Sequence, residues 1–416
     1  MKIAVIGGGI SGLASALILN PHHEVHLFEA DSRLGGHAHT VTINDGPDKT
    51  VDLDTGFLVY NTLTYPHFTR FLDYLNVKST DSDMTLSIQA ANGLEWGGAN
   101  LPTVFAQKIN LFNPSFLKML LEILRFNKNA QTNLELSRKN KWTLADLVKN
   151  QGYGEKFQTL YLLPMTGAIW SMSYSHALQF PAETFLTFCI NHHLLQVNNR
   201  PIWRTIKGGS INYVKEVSKR LSNIHLSSPV DKVSKKGDKL IVSTQGKEFE
   251  FDKVILATHA PISRRMIEES FPDLAQRILP LKTTPNHVVL HEDESIMPKK
   301  KICWSAWNVE ARNSVKDEKD ICLTYYINKL QPLETTKNYF VTLNKNQKLL
   351  KAHRTFEYHH PQFDFEAINL QKELPSIQGT HHLYFAGAWT RYGFHEDGIL
   401  SAVNVAEILG VKAPWV

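Results

Sequence analysis

The chain is predicted to fold as an α/β protein in which a discontinuous, Rossmann-like dinucleotide-binding domain is interleaved with an α+β second domain. Three observations predict this. The chain opens on a strand, a glycine turn, a helix, a second strand and an acid. Apolar strands suited to the same sheet recur far downstream, the last of them close to the C-terminus. The stretches between them change character, first helical and aromatic, then alternating as antiparallel strands do.

The opening unit is read residue by residue. Lys2-Ile3-Ala4-Val5-Ile6 is a strand, followed by Gly7-Gly8-Gly9-Ile10-Ser11-Gly12 and an apolar helix from Leu13 to Leu19. Gly7 serves the tight turn, Gly9 the approach of a pyrophosphate to the helix N-terminus, and Gly12 the close packing of helix on strand. Glu24-Val25-His26-Leu27-Phe28 is the second strand, and Glu29 after it is placed to accept from a ribose hydroxyl. Ala30-Asp31-Ser32-Arg33-Leu34-Gly35-Gly36-His37 then adds a second glycine pair, which NAD does not require.

Later segments complete the sheet. Trp203 to Ser210 leads into a helix ending near Leu221, and Leu240-Ile241-Val242-Ser243 is a strand. Lys253-Val254-Ile255-Leu256 is an apolar strand leaving through Ala257-Thr258. Leu383 to Trp389 reads as a buried strand and turn, and Gly393-Phe394-His395-Glu396-Asp397-Gly398 opens a helix from Ile399 to Leu409. The dinucleotide domain is therefore assigned to residues 1–61, 203–260 and 376–416, and the second domain to 62–202 and 261–375. In the latter, His287–His291, Cys322–Tyr326 and Phe340–Leu343 alternate as strands.

Composition narrows the function classes. A 43% hydrophobic fraction over 416 residues supports large cores. Three cysteines without a CxxC pair argue against a disulfide framework, a zinc ribbon or a redox dithiol. A net charge of +5 without a nucleic-acid motif gives no reason to expect RNA or DNA as partner. No leader or membrane-spanning run is visible, so a cytoplasmic protein is expected. The paired histidines are not at metal-ligand spacing, and no metal is expected; His359-His360-Pro361 either lines the pocket or shapes a turn, and the turn is the default.

The glycine turn with Glu29, the second glycine pair and the C-terminal Ala386-Gly387-Ala388 with its following helix together resemble the monoamine oxidase and phytoene desaturase superfamily of FAD enzymes. Asp54-Thr55-Gly56-Phe57, Trp304-Ser305-Ala306-Trp307-Asn308 and Gly393 to Gly398 are similar to a bacterial branch of amine-oxidase-like, NAD/FAD-binding proteins. A similar domain forms the N-terminal part of plant cyclopropane fatty acid synthases. The resemblance implies a glutathione-reductase-type FAD domain joined to a substrate domain of the amine oxidase type. It implies FAD held without a covalent link, since no cysteine lies near the C-terminal motif. By the same resemblance Gly7, Gly9, Ile10, Ser11 and Gly12 hold the pyrophosphate and Glu29 with Ala30 the ribose. Arg33, Gly35, Gly36 and His37 pass along the cofactor, and Val230 pairs with the adenine. Thr55, Gly56, Phe57, Gly387, Ala388, Asp397, Gly398 and Ile399 meet the flavin end. His37 stands where related enzymes carry Arg, which would make the charge there pH-dependent.

The chemistry so implied is hydride transfer from a C–H of a hydrophobic substrate to the flavin. The association with cyclopropane synthases points to a fatty-acyl chain, desaturated or isomerised. The alternatives are an amine oxidase and an auxiliary flavin-binding partner of a lipid methyltransferase. His287 aligns with the Lys that many amine oxidases place by flavin N5. His287, His395 and Glu396 are the candidate bases, with helix capping as the competing role of Glu396 and Asp397. Phe394, with Tyr392 nearby, matches half of an aromatic pair. Finally, Phe112 to Phe126 reads as a helix capped by Asn113 or Ser115. It either lies on a membrane surface beside the substrate's access path, at the inner membrane face, or packs on the substrate-domain core, and packing is the default.

Overall fold

Alternation along one strand fixes the layers of the first lobe. In the computed structural model, which describes residues 1–196, 200–312, 314–316, 318–319 and 321–416, Lys2–Ile6 is the centre of a five-stranded parallel sheet. Its order is Asn223–His225, Glu24–Phe28, Lys2–Ile6, Lys253–Leu256, Leu383–Phe385. Val5 lies opposite both Leu27 and Ile255. Ile3 and Val5 face a core that includes Leu13, Leu17, Ile399 and Ala402. Ala4 and Ile6 face the opposite core, with Phe251, Met266, Leu370 and Leu374. Both faces are covered, which is why these strands are apolar throughout rather than half polar. The helix Ile10–Leu19 is buried at every position and correspondingly lacks a polar face.

The second lobe is built on a seven-stranded mixed sheet. Its order is Ala352–Gln362, Lys282–His291, Phe340–Leu343, Cys322–Tyr326, Trp307–Ala311, Leu86–Ala90, Glu95–Gly97. The strands read from the sequence around His287, Cys322 and Phe340 are all in it. All neighbours are antiparallel except Trp307–Ala311 and Leu86–Ala90. The stretch expected to be helical and aromatic thus also contributes strands to this sheet. Its helices, including Pro114–Lys128 and Ala182–Asn191, build one large aromatic core with Val309 and Leu323 of the sheet. A short ribbon, in which Trp203–Ile206 pairs with Tyr60–Asn61 and with Ser79–Ser82, runs between the first lobe and this insertion.

Candidate functional site

The glycine turn is held from both sides. Gly7 has φ +108°, and its N–H donates to the Phe28 carbonyl at 2.8 Å. A Cβ on Gly12 would lie 1.8 Å from the Gly7 carbonyl oxygen, so only glycine lets the helix start this close to the strand. A Cβ on Gly9 would meet nothing within 4 Å; it would project into open space in front of the helix. Gly9 caps that helix without a side-chain partner, and no acid stands in its first turn. Ile10, Ser11 and Gly12 therefore bring first-turn N–H groups, the positive end of the helix, to an anion. Glu29 lies across the turn, accepting from Gly8 N–H at 2.6 Å and Asp31 N–H at 2.8 Å, beside exposed Ala30. The N–H groups of Ser227 and Ser228 donate to the Asp31 and Glu29 carbonyls, which draws the start of the Val230–Lys236 strand alongside.

The second glycine pair closes on the first. Gly35 N–H donates to the Gly8 carbonyl at 2.8 Å, and Arg33 Nη2 donates to the Gly36 carbonyl at 3.0 Å. Thr55-Gly56-Phe57 runs beside them, with Phe57 N–H donating to the His37 carbonyl. His37 Nε2 is buried without a protein partner. Around its ring lie Tyr358 at 5.1 Å, His360 at 5.6 Å and His259 at 5.7 Å. The Tyr358 hydroxyl bonds His39 Nδ1 and Thr55 Oγ1, while Asn286 bonds His360 Nδ1 at 3.0 Å. Burial pushes His39, His259 and His360 down to about 4 and His37 well below its ordinary value. Burial thus favours the neutral form of His37. His360 lies in a strand rather than a turn and faces this cluster.

At the far end, Gly387 and Ala388 precede the helix His395–Ile408, whose start rests on the glycine turn. A Cβ on Gly398 would meet Ile10 Cγ2 at 2.7 Å and Ser11 Oγ at 2.9 Å. Ile399 behind it is fully buried. Asp397 accepts from Tyr392 N–H at 3.2 Å and Phe394 N–H at 3.0 Å and so caps its own helix; burial pushes it up to about 7. Glu396 caps a different helix, accepting from His67 N–H at 3.0 Å and Phe68 N–H at 2.9 Å at the start of Pro66–Tyr74. His395 stacks on Phe57 at 3.6 Å, bonds the Tyr213 hydroxyl at 3.1 Å, and is pushed by burial to about 3.

Glu396 is engaged by backbone N–H groups and His395 is a satisfied, neutral core residue. His287 sits on an exposed position of Lys282–His291; alternation turns Asn286 inward instead. Trp389 also turns away, into the core behind the sheet, its indole N–H donating to the Thr258 carbonyl at 3.0 Å.

The partner of Phe394 is Phe188, on Ala182–Asn191, stacked at 4.7 Å with 17° between planes. Its sequence carries no local sign of this role. His192 lies 6.0 Å from Phe394, and Trp170 Nε1 donates to the Tyr392 carbonyl at 3.2 Å. The result is an apolar wall beside the start of the C-terminal helix. Gripping an atom between two ring faces needs roughly 7 Å, two contacts of about 3.5 Å each. Phe188 and Phe394 at 4.7 Å are closed on one another and make a wall, not a sandwich.

Three features fit FAD: an uncapped helix N-terminus facing open space, a ribose acid, and a buried imidazole nitrogen lacking a protein partner. Comparison with known proteins agrees. A model of the family described as Flavin containing amine oxidoreductase matches residues 10–334. No curated protein matches the chain. Among solved structures, the CLA-producing fatty acid isomerase from P. acnes superposes with a TM-score of 0.71 at 12% identity, covering 98% of each chain. Cyclohexylamine oxidase from Brevibacterium oxydans IH-35A gives 0.70 at 14% identity, covering 98% of this chain and 99% of that one. Putrescine oxidase bound to putrescine gives 0.68 at 15% identity, covering 99% of each. At such identities the likeness is one of fold.

Proposed function

Since the chain belongs to the flavin-containing amine oxidoreductase family and is an FAD-dependent oxidoreductase, we propose that it oxidises a C–H bond of a small hydrophobic substrate, in the first instance an amine at the carbon bearing nitrogen. The observation that carries the hydrophobic substrate is the aromatic wall of Phe188, Tyr392 and Phe394, placed where the C-terminal helix meets the glycine turn; the choice of an amine rests on the family. Bound FAD supplies a hydride acceptor at its N5. The protein's own residues bind and orient. Gly7, Gly9, Ile10, Ser11 and Gly12 would hold the pyrophosphate, Glu29 the ribose, and Val230 would approach the adenine. Gly35, Gly36 and His37 would line the cofactor's path, with Arg33 bracing the turn. Thr55, Gly56, Phe57, Gly387, Ala388 and Gly398 would approach the flavin end. The wall would exclude water and press the substrate's apolar frame against the ring.

A second reading, oxidation or isomerisation of a fatty-acyl chain, is favoured by the closed Phe188–Phe394 contact, which leaves no cage for an amine nitrogen. The likeness to a fatty acid isomerase and the resemblance to plant cyclopropane synthase domains support the same reading. The test is anaerobic titration of the holoenzyme, separately with hydrophobic amines and with unsaturated fatty acids, reading the oxidised flavin band. Bleaching by amines is expected. Bleaching by fatty acids alone would replace the first reading with the second. No bleaching by either would overturn both oxidation readings and favour a redox-neutral isomerase, which returns the hydride to its substrate, or an auxiliary role beside a lipid methyltransferase.

A further inference from the structure

Exposed apolar side chains are concentrated in one place. Among the described residues, seven of the nineteen exposed large apolar side chains lie between Leu101 and Leu124. The 3-10 turn Lys108–Phe112 leaves Ile109 74% and Phe112 82% exposed. The helix Pro114–Lys128 that follows, capped by the Asn113 side chain, is apolar on two sides. Phe116, Met119 and Phe126 are buried in the core that also holds Phe188 and Trp170. Leu117, Leu121 and Leu124, at i, i+4 and i+7, form an outward stripe. The segment thus packs on the core with one face and leaves an apolar stripe exposed on the other.

The exposed charges of the segment itself share one sign. Lys108, Lys118, Arg125 and Lys128 are exposed, and none of them pairs with a carboxylate among the described residues. The single acid of the segment, Glu122, is buried, with Gly154 N–H donating to it. Arg125 lies over the Tyr153 ring at 4.3 Å, its aliphatic stem flat on the surface. Apolar side chains ringed by unpaired cations match the interface of an anionic bilayer, where apolar burial and attraction to headgroups add. A second copy of the chain matches poorly, because a two-fold contact would set these cations against themselves. No helix among the described residues is long and apolar enough to cross a membrane, so the contact is peripheral.

We propose that Lys108–Phe112 and the outward face of Pro114–Lys128 form a platform that docks on bilayers containing anionic lipid. Its use, collecting a membrane-dissolved substrate for the aromatic wall, which shares one core with the buried face of this helix, rests on the hydrophobic-substrate reading above; the docking itself does not. The test is sedimentation of the holoenzyme with phosphatidylglycerol–phosphatidylcholine vesicles and with phosphatidylcholine vesicles, without turnover. Binding to the anionic vesicles that weakens with salt is expected, falling at least ~10-fold in Phe112→Ser/Leu121→Ser. Lys118→Glu/Lys128→Glu, altered only at exposed positions, is expected to lose the preference for anionic vesicles. FAD content and melting temperature report that each variant is folded. A wild type that stays in the supernatant, or folded variants that sediment as it does, would overturn the proposal. So would a wild-type dimer in light scattering that Phe112→Ser/Leu121→Ser dissolves, since the stripe would then be a self-interface. Flavin bleaching is read separately, so failure of docking and failure of the oxidation reading remain distinguishable.

Discussion

Two glycines of one turn separate folding from cofactor binding. A methyl at Gly12 would drive into the Gly7 carbonyl, while one at Gly9 would meet only open space. Gly9→Ala is therefore expected to fold with a nearly unchanged melting temperature yet purify with most of its flavin lost, whereas Gly12→Ala loses stability as well. Flavin-to-protein absorbance with a thermal melt checks both; a Gly9→Ala protein that keeps full flavin would contradict the placement of the pyrophosphate. Glu396 gives a second prediction. As the cap of Pro66–Tyr74, its replacement by Gln should cost about 1–3 kcal/mol of stability and leave the rate constant of flavin reduction within a few-fold. Loss of that rate at unchanged stability would restore it as a base. The glycine turn and Glu29 were legible because each residue type there answers a local steric or hydrogen-bonding demand. His287 was not: a one-residue slip in a strand exchanges its faces, and only pairing with Ala352–Gln362 sets the register. Phe188 carried no signal at all, because its partner is brought to it by tertiary packing.

At the scale of elements, the decisive contact is between two helix starts. Ile10–Leu19 and His395–Ile408 meet at Gly398, where a side chain would strike Ile10 and Ser11. Gly398→Ala is expected to push them apart and weaken FAD at least ~10-fold, about 1.4 kcal/mol, measured by flavin fluorescence on reconstitution of the apoprotein. Unchanged affinity would show that the helix starts do not jointly define the site. Strands with strong apolar runs, such as Lys253–Leu256 and Phe340–Leu343, were readable as strands from composition alone. Leu86–Ala90 and Glu95–Gly97 were hidden inside a helical stretch, because their strand character depends on Trp307–Ala311 beside them. The helix Pro114–Lys128 was readable as a helix, but which face packs is decided by neighbours distant in sequence.

For the whole molecule, buried imidazoles set the response to acid. His39, His192, His259, His291 and His360 are pushed to about 4 and His395 to about 3, from an ordinary 6.5. The unfolded chain binds these protons first, so their stabilising neutral state is secure above pH 6.5 and is lost as pH falls towards 4. Asp54 at about 6 and Asp397 at about 7 oppose this, since their native forms bind protons more tightly than the unfolded chain does. With His37 lowered and Glu396 raised by burial as well, seven imidazoles against three carboxylates predict an apparent melting temperature that drops by about 5 °C or more between pH 6.5 and 4.5; a flat or rising profile would contradict it. The fold was legible because a sheet buried on both faces and a glycine turn are written in short contiguous runs. The aromatic wall was not, because it is assembled from the helix Ala182–Asn191 and the turn before His395–Ile408, which meet only in three dimensions. The most direct test of the account is the anaerobic rate constant of flavin reduction by a hydrophobic amine, compared between wild type and Phe394→Ala. A fall of at least ~30-fold with FAD content unchanged, roughly 2 kcal/mol of lost positioning, is predicted. An unchanged rate in a Phe394→Ala protein with its full complement of FAD would mean that oxidation takes place elsewhere.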